Sequence, residues 1–167
     1  QEVLCNQIIA ALDKKEYEYA SSIASILPES PATEDIRVLV EAFNGRFQAA
    51  YDRFALRGGT NEVVLLLALK RDEEALEKAK ELPDEALSYY LRAVANNRLG
   101  NISDAFANLE KAFAADPKLK DVARVDGDVT DMLQQLEEDE KQYTEQVKEK
   151  KPGKRKKGKR KNRNHDN

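Results

Sequence analysis

RLGNISDAFANLEKAFAADP, residues 98–117, suits an α-helix except at Gly100 and Pro117, and it carries small residues at Ala105 and Ala112. A glycine supplies a backbone corner, and a proline cannot continue a helix. Ala105 and Ala112 fall on one helical face, where a small side chain lets a neighbouring helix approach closely. The spacing therefore predicts two helices that meet at a tight corner at Gly100, the second stopping at Pro117.

Working outward, apolar residues recur at helical spacing along most of the chain. They predict helices near 2–13, 16–27, 33–44, 46–57, 61–70, 72–82, 86–99 and 102–115, and a last one near 129–149. Leu27-Pro28, Leu82-Pro83 and Asp116-Pro117 end three of them, because the residue before a proline is pushed out of the α region. Gly45 and Gly100 form corners and Gly58-Gly59 a looser break, while Asp13-Lys14-Lys15 and Lys70-Arg71-Asp72 are polar corners without glycine. The second helix of each pair shares a pattern. Tyr17/Ala20/Ala24/Leu27 matches Phe47/Ala50/Phe54/Arg57 and Ile102/Ala105/Leu109/Ala112, with Asp72/Ala75/Ala79/Leu82 as a weaker copy. The alanines Ala20, Ala50, Ala75 and Ala105 stand 30, 25 and 30 residues apart.

This pattern resembles the tetratricopeptide repeat, a helix–turn–helix unit of about 34 residues. Residues 86–119 carry the resemblance best. Tyr89 takes the early aromatic position, Ala93 the small position of the first helix, and Gly100 the turn; Ile102, Ala105, Leu109, Ala112 and Pro117 follow in the family's order. Arg92 and Asn96 depart from it, where an apolar residue and an aromatic are usual. The resemblance implies an all-α fold, an α-solenoid of about four antiparallel helix pairs over residues 1–119. Residues 120–149 are expected to be a linker and a capping helix, with Leu133, Leu136, Tyr143 and Val147 as a thin apolar stripe interrupted by Glu140. The acid-rich start of that helix also allows it to extend into solvent.

Charge divides the chain. Residues 1–147 hold 17 Lys+Arg and 29 Asp+Glu, a net −12; residues 148–167 hold 11 Lys+Arg and two acids, a net +9. The stretch KEKKPGKRKKGKRKNRNHDN has no aliphatic or aromatic side chain, so residues 150–167 are expected to be disordered. The longest apolar run, VVLLLAL at 63–69, is far shorter than the roughly 20 residues a spanning helix needs. A soluble, cytoplasmic protein is the default expectation, although a start at Gln1 rather than Met leaves room for a removed signal or lipoprotein anchor.

Catalytic signals are few, and no enzyme and no cofactor is expected. His165 is the sole histidine and Cys5 the sole cysteine, so neither a histidine base nor a zinc or nucleophile constellation can be assembled from the usual groups. Cys5 falls among Val3, Leu4, Ile8, Ile9 and Leu12 and reads as a structural thiol. Asp126, Asp128, Thr130 and Glu137 have part of a calcium-loop spacing, but Asp131 stands where that loop needs glycine. A turn at Gly127, with Asp128 or Thr130 capping the last helix, accounts for these residues better.

Two surfaces remain. In tetratricopeptide proteins the first helix of each pair lines a groove that receives peptides or helices. Carried onto the matched unit, the resemblance implies Leu87, Tyr90, Val94, Asn97 and Arg98, of which Leu87 and Val94 also suit a core. The earlier first helices offer Leu39, Ala42, Val64 and Leu67, so the family's clamp for a terminal carboxylate is not expected. The second surface is the tail, where Lys154, Arg155, Lys156, Lys157, Lys159, Arg160, Lys161 and Arg163 suit RNA, DNA or an anionic membrane surface without base readout, and equally suit a tail that only solubilises the chain or folds back onto its acidic body. The leading expectation is a non-enzymatic adaptor that binds another protein. Its rival is a protein whose basic tail carries affinity for nucleic acid or an anionic surface.

Overall fold

The computed structural model describes residues 1–54 and 57–149. Among the described residues there are ten α-helices and no strand. They are α1 (Glu2–Asp13), α2 (Tyr17–Ile26), α3 (Pro31–Phe43), α4 (Phe47–Phe54), α5 (Thr60–Ala68), α6 (Asp72–Glu81), α7 (Ala86–Arg98), α8 (Ile102–Ala115), α9 (Leu119–Ala123) and α10 (Thr130–Glu149). Each odd helix from α1 to α7 packs against the even helix that follows it. In addition, α2 packs on α3, α4 on α5, α6 on α7, α1 on α3 and α5 on α7.

The corners within the pairs are built alike. Three residues separate the helices at 14–16, 44–46, 69–71 and 99–101. At the last of these, the Leu99, Gly100 and Asn101 N–H groups donate to the Ala95, Asn97 and Asn96 carbonyls. The same three bonds recur at Lys14–Glu16, Asn44–Arg46 and Leu69–Arg71. They satisfy the last carbonyls of each odd helix. The middle residue must be left-handed: φ is 73° at Gly45 and 78° at Gly100, but also 62° at Lys15 and 60° at Lys70. A lysine there carries a strain of about 1–2 kcal/mol that a glycine escapes.

A longer repeat emerges from these elements. Shifting α2 by 55 residues reproduces both ends of α6 (Tyr17 to Asp72, Ile26 to Glu81), and the same shift carries α3 onto α7 (Pro31 to Ala86, Phe43 to Arg98). It also aligns the ends of α1 and α5 and the starts of α4 and α8. Helices α1–α8 thus form two related four-helix halves. Arg37 and Arg92 occupy one position of this repeat and do one job. Arg37 donates to the Leu27 carbonyl at the end of α2. Arg92 donates to the Ala79 and Leu82 carbonyls at the end of α6, at 2.8 and 2.6 Å, and pairs with Asp84. Arg92, a departure from the repeat pattern, is therefore a cap for the preceding helix, and it holds the Asp84 carboxyl below the usual range. Asn96, the other departure, is buried and donates to the Arg92 carbonyl at 2.9 Å.

Ala20, Ala50, Ala75 and Ala105 are all fully buried, as close helix approach requires. The core is graded. One cluster joins α1, α2 and α3, a small one centres on Ala50, Phe54 and Leu65, and the largest runs from Val63 to Leu133.

Three elements differ from the sequence expectation. Helix α3 starts at Pro31 rather than near 33, because proline is preorganised for the first helical position. The short α9 was not anticipated. The Asp116 carboxylate accepts the Lys118 N–H, and three i→i+3 bonds follow, winding the chain just past Pro117. In α10, Met132 and Leu133 are buried and Leu136 partly so, yet Tyr143 and Val147 are exposed. Its first two turns cap the fold; beyond the Glu138-Asp139-Glu140 run the described side chains face water.

Candidate functional site

Of the five residues implied on α7, four are already engaged within the chain. The Tyr90 hydroxyl donates to the Asp126 carboxylate at 2.8 Å. The Asn97 amide donates to the Asp128 carbonyl at 2.6 Å. The Arg98 guanidinium donates to the Asp128 carboxylate at 2.5 Å and to the Leu67 carbonyl at 2.7 Å, with Asp72 at 3.2 Å. Val94 is buried. Burial first, and the bond to Asp126 second, raise the Tyr90 pKa well above its ordinary value. The bond to Asp128 holds the proton of Arg98 more tightly. Of the five only Leu87 is exposed, while Asn97 and Arg98 are half-buried.

The segment they hold is shaped by its own aspartates. The second oxygen of Asp126 accepts the Asp128 N–H at 3.0 Å, and the Thr130 hydroxyl donates to the Asp126 carbonyl at 2.6 Å. This side-chain turn positions Val129, Met132 and Leu133 in the core. Of the carboxylates that suggested a calcium loop, Asp126 faces Tyr90, Asp128 faces Arg98, and Glu137 pairs with Arg124 at 2.9 Å. Among the described residues no group of three His, Cys, Asp or Glu side chains is placed to hold a metal ion.

An apolar ladder runs along the odd helices. Ile9, Leu39, Val64 and Val94 each stand eleven residues before a buried alanine (Ala20, Ala50, Ala75, Ala105). The first three are 43, 42 and 46% exposed; Val94 is 4% exposed, because residues 126–133 cover its surroundings. Phe43 is half exposed beside Leu39. Between α3 and α5 the ladder opens into a hollow of about 260 Å3, lined by Val38, Leu39, Ala42, Phe54, Val64 and Leu65, with Asp35 and Asn61 at its rim. Leu39, Ala42 and Val64 were legible as first-helix residues. Ile9 and Phe54 were missed, although the common spacing before the alanines marks Ile9.

The basic residues Lys154, Arg155, Lys156, Lys157, Lys159, Arg160, Lys161 and Arg163 lie outside the described residues, as does His165. Among the described residues no helix is long and apolar enough to cross a membrane. No family model, no curated protein and no solved structure matches the chain.

Proposed function

We propose that the chain is a non-enzymatic adaptor of tetratricopeptide-like architecture, a short α-solenoid that receives a peptide or helix of another protein on the face of its odd helices. The exposed ladder of Ile9, Leu39 and Val64 carries this reading. Isolated surface aliphatics need no explanation, but these three share one repeat position, and two of them, Leu39 and Val64, line a common hollow. Paired helices hold these side chains in place before binding, so little ordering is required on this side. The test is site-specific photocrosslinking in the full chain. A photoreactive residue at Leu39 or Val64 is expected to join a partner protein that the same residue at exposed Glu110 does not. Equal adducts from all three positions remove the reading.

A second reading rests on the net +9 of residues 148–167. That density of Lys and Arg suits a polyanion, with affinity falling steeply as rising salt shrinks the entropy gained when binding releases counterions. Removal of residues 150–167 is expected to abolish a salt-sensitive shift of RNA or DNA. An unchanged shift discards this reading.

A further inference from the structure

The apolar stripe of α10 is only half used. Met132, Leu133, Leu136, Tyr143 and Val147 fall on one face of this helix of 20 residues. Met132 and Leu133 are buried and Leu136 partly so, whereas Tyr143 is 70% and Val147 38% exposed. From Glu138 to Lys148 every side chain is exposed, so nothing among the described residues covers the stripe there. Where the stripe leaves the body it borders a cleft of about 370 Å3, floored by Phe113, Ala114 and Leu136, with Glu110, Lys120 and Asp139 among its walls.

The uncovered part is complementary to itself. Leu136, Glu140, Tyr143 and Val147 are spaced 4, 3 and 4 residues apart. That is the rhythm of a two-stranded coiled-coil seam, and it reads the same in both directions. Turned end for end about a dyad between Lys141 and Gln142, a second stripe sets its Val147 against Leu136, at the cleft, and its Tyr143 against Glu140. Glu140, which interrupts the stripe, has Lys120 at 3.9 Å as its one ion-pair partner among the described residues. The Tyr143 hydroxyl of a second copy supplies it with a hydrogen-bond donor. The flanking seam positions then place Glu137 by Thr144 and Asp139 by Gln146, so no like charges oppose one another there. A parallel alignment does the reverse. It sets Glu140 against Glu140 and brings together the two chain ends that carry a net +9 over residues 148–167. From the palindromic spacing and these charges we infer that α10 pairs antiparallel with α10 of a second copy of this chain, in a two-fold symmetric dimer. The interface does not involve the Leu39 and Val64 face, so it stands independently of the docking reading above.

Sedimentation velocity of the full chain tests this, over about 5–200 µM because a seam of so few turns makes a weak dimer. A reversible monomer–dimer equilibrium is expected. The double variant Tyr143→Glu/Val147→Glu should weaken it at least about tenfold. Its thermal melt in dilute solution should match the parent's, because both side chains are exposed. Leu39→Asn/Val64→Asn should leave the dimer intact. Spin labels on Gln142→Cys or Lys148→Cys, each in a Cys5→Ser chain, read the direction. At 1.5 Å rise per residue, antiparallel pairing puts the two 148 positions about 20 Å apart along the axis and the two 142 positions nearly level. Equal distances at the two positions mean a parallel pair and overturn the inference. A chain that stays monomeric at every concentration leaves the stripe to a helix of another protein and also overturns it. So does a dimer that survives Tyr143→Glu/Val147→Glu, or one that is lost in Leu39→Asn/Val64→Asn, since either places the interface elsewhere.

Discussion

Tyr17 and Phe43 in the first half occupy the positions of Asp72 and Arg98 in the second. The first pair stacks, with ring centroids 6.0 Å apart at 28°; the second is an ion pair at 3.2 Å. One contact between the start of an even helix and the end of an odd one is therefore made by two chemistries. The aromatic version is self-contained and leaves Phe43 half exposed beside the open rung at Leu39. The ionic version has donors to spare, and Arg98 uses them on Leu67 and Asp128 to fasten the C-terminal segment over the closed rung at Val94. The difference decides which end of the ladder stays exposed.

The comparison can be broken most severely at Arg98. Arg98→Met leaves Asp72 and Asp128 without their cation in a site where the arginine is mostly buried. A loss of about 3 kcal/mol is expected in urea unfolding, with faster amide exchange across residues 126–133. Phe43→Ala, at the equivalent place, should cost only about 1 kcal/mol, because its ring is half exposed. Equal losses would mean that the two contacts do equivalent work.

The buried alanines sharpen the equivalence of the halves. Ala20→Leu and Ala75→Leu should each destabilise by about 2 kcal/mol through overpacking, and by similar amounts in thermal melts. A tolerated leucine at only one of them would show that the halves pack differently.

Tyr90 separates the halves by pH. Its folded pKa is raised, so the folded state keeps the phenol proton where the unfolded chain has lost it. The contribution of this group is complete below the unfolded value, near 10, and falls as pH rises above it, by up to about 1.4 kcal/mol per pH unit. Tyr90→Phe should cost about 1 kcal/mol at neutral pH and flatten the alkaline loss. Parallel alkaline profiles for variant and parent would remove Asp126 and burial as the cause.

The smallest effects lie at the corners. Lys15→Gly and Lys70→Gly relieve a left-handed lysine and should each stabilise by about 0.5–1 kcal/mol. Gly45→Ala and Gly100→Ala should cost about 1 kcal/mol from backbone strain alone, since an added Cβ meets nothing within 4 Å. Chemical denaturation of the four variants reads both signs.

The helix pairs were legible because their signals are local. Glycine corners, proline stops and alanines spaced along one face constrain the backbone within a few residues. The two glycine-free corners were legible for the same reason, from a polar run between apolar-periodic segments. The 55-residue relation between the halves was hidden, because substitutions such as Tyr17 to Asp72 preserve a contact while changing its chemistry. The candidate site was half legible. Leu39 and Val64 follow from helix periodicity, whereas the hollow between them depends on how far apart α3 and α5 come to rest.

The sequence by itself determined that this is a helical chain with paired elements, buried alanines and a separate basic tail. Each of those properties comes from short-range sterics, periodicity or composition. Only the tertiary structure decided which odd-helix face is open. Whether Tyr90, Asn97 and Arg98 meet a partner or the chain itself turns on contacts with residues 30 or more positions away. No local preference encodes that choice; the placement of Asp126 and Asp128, between α9 and α10, against α7 does.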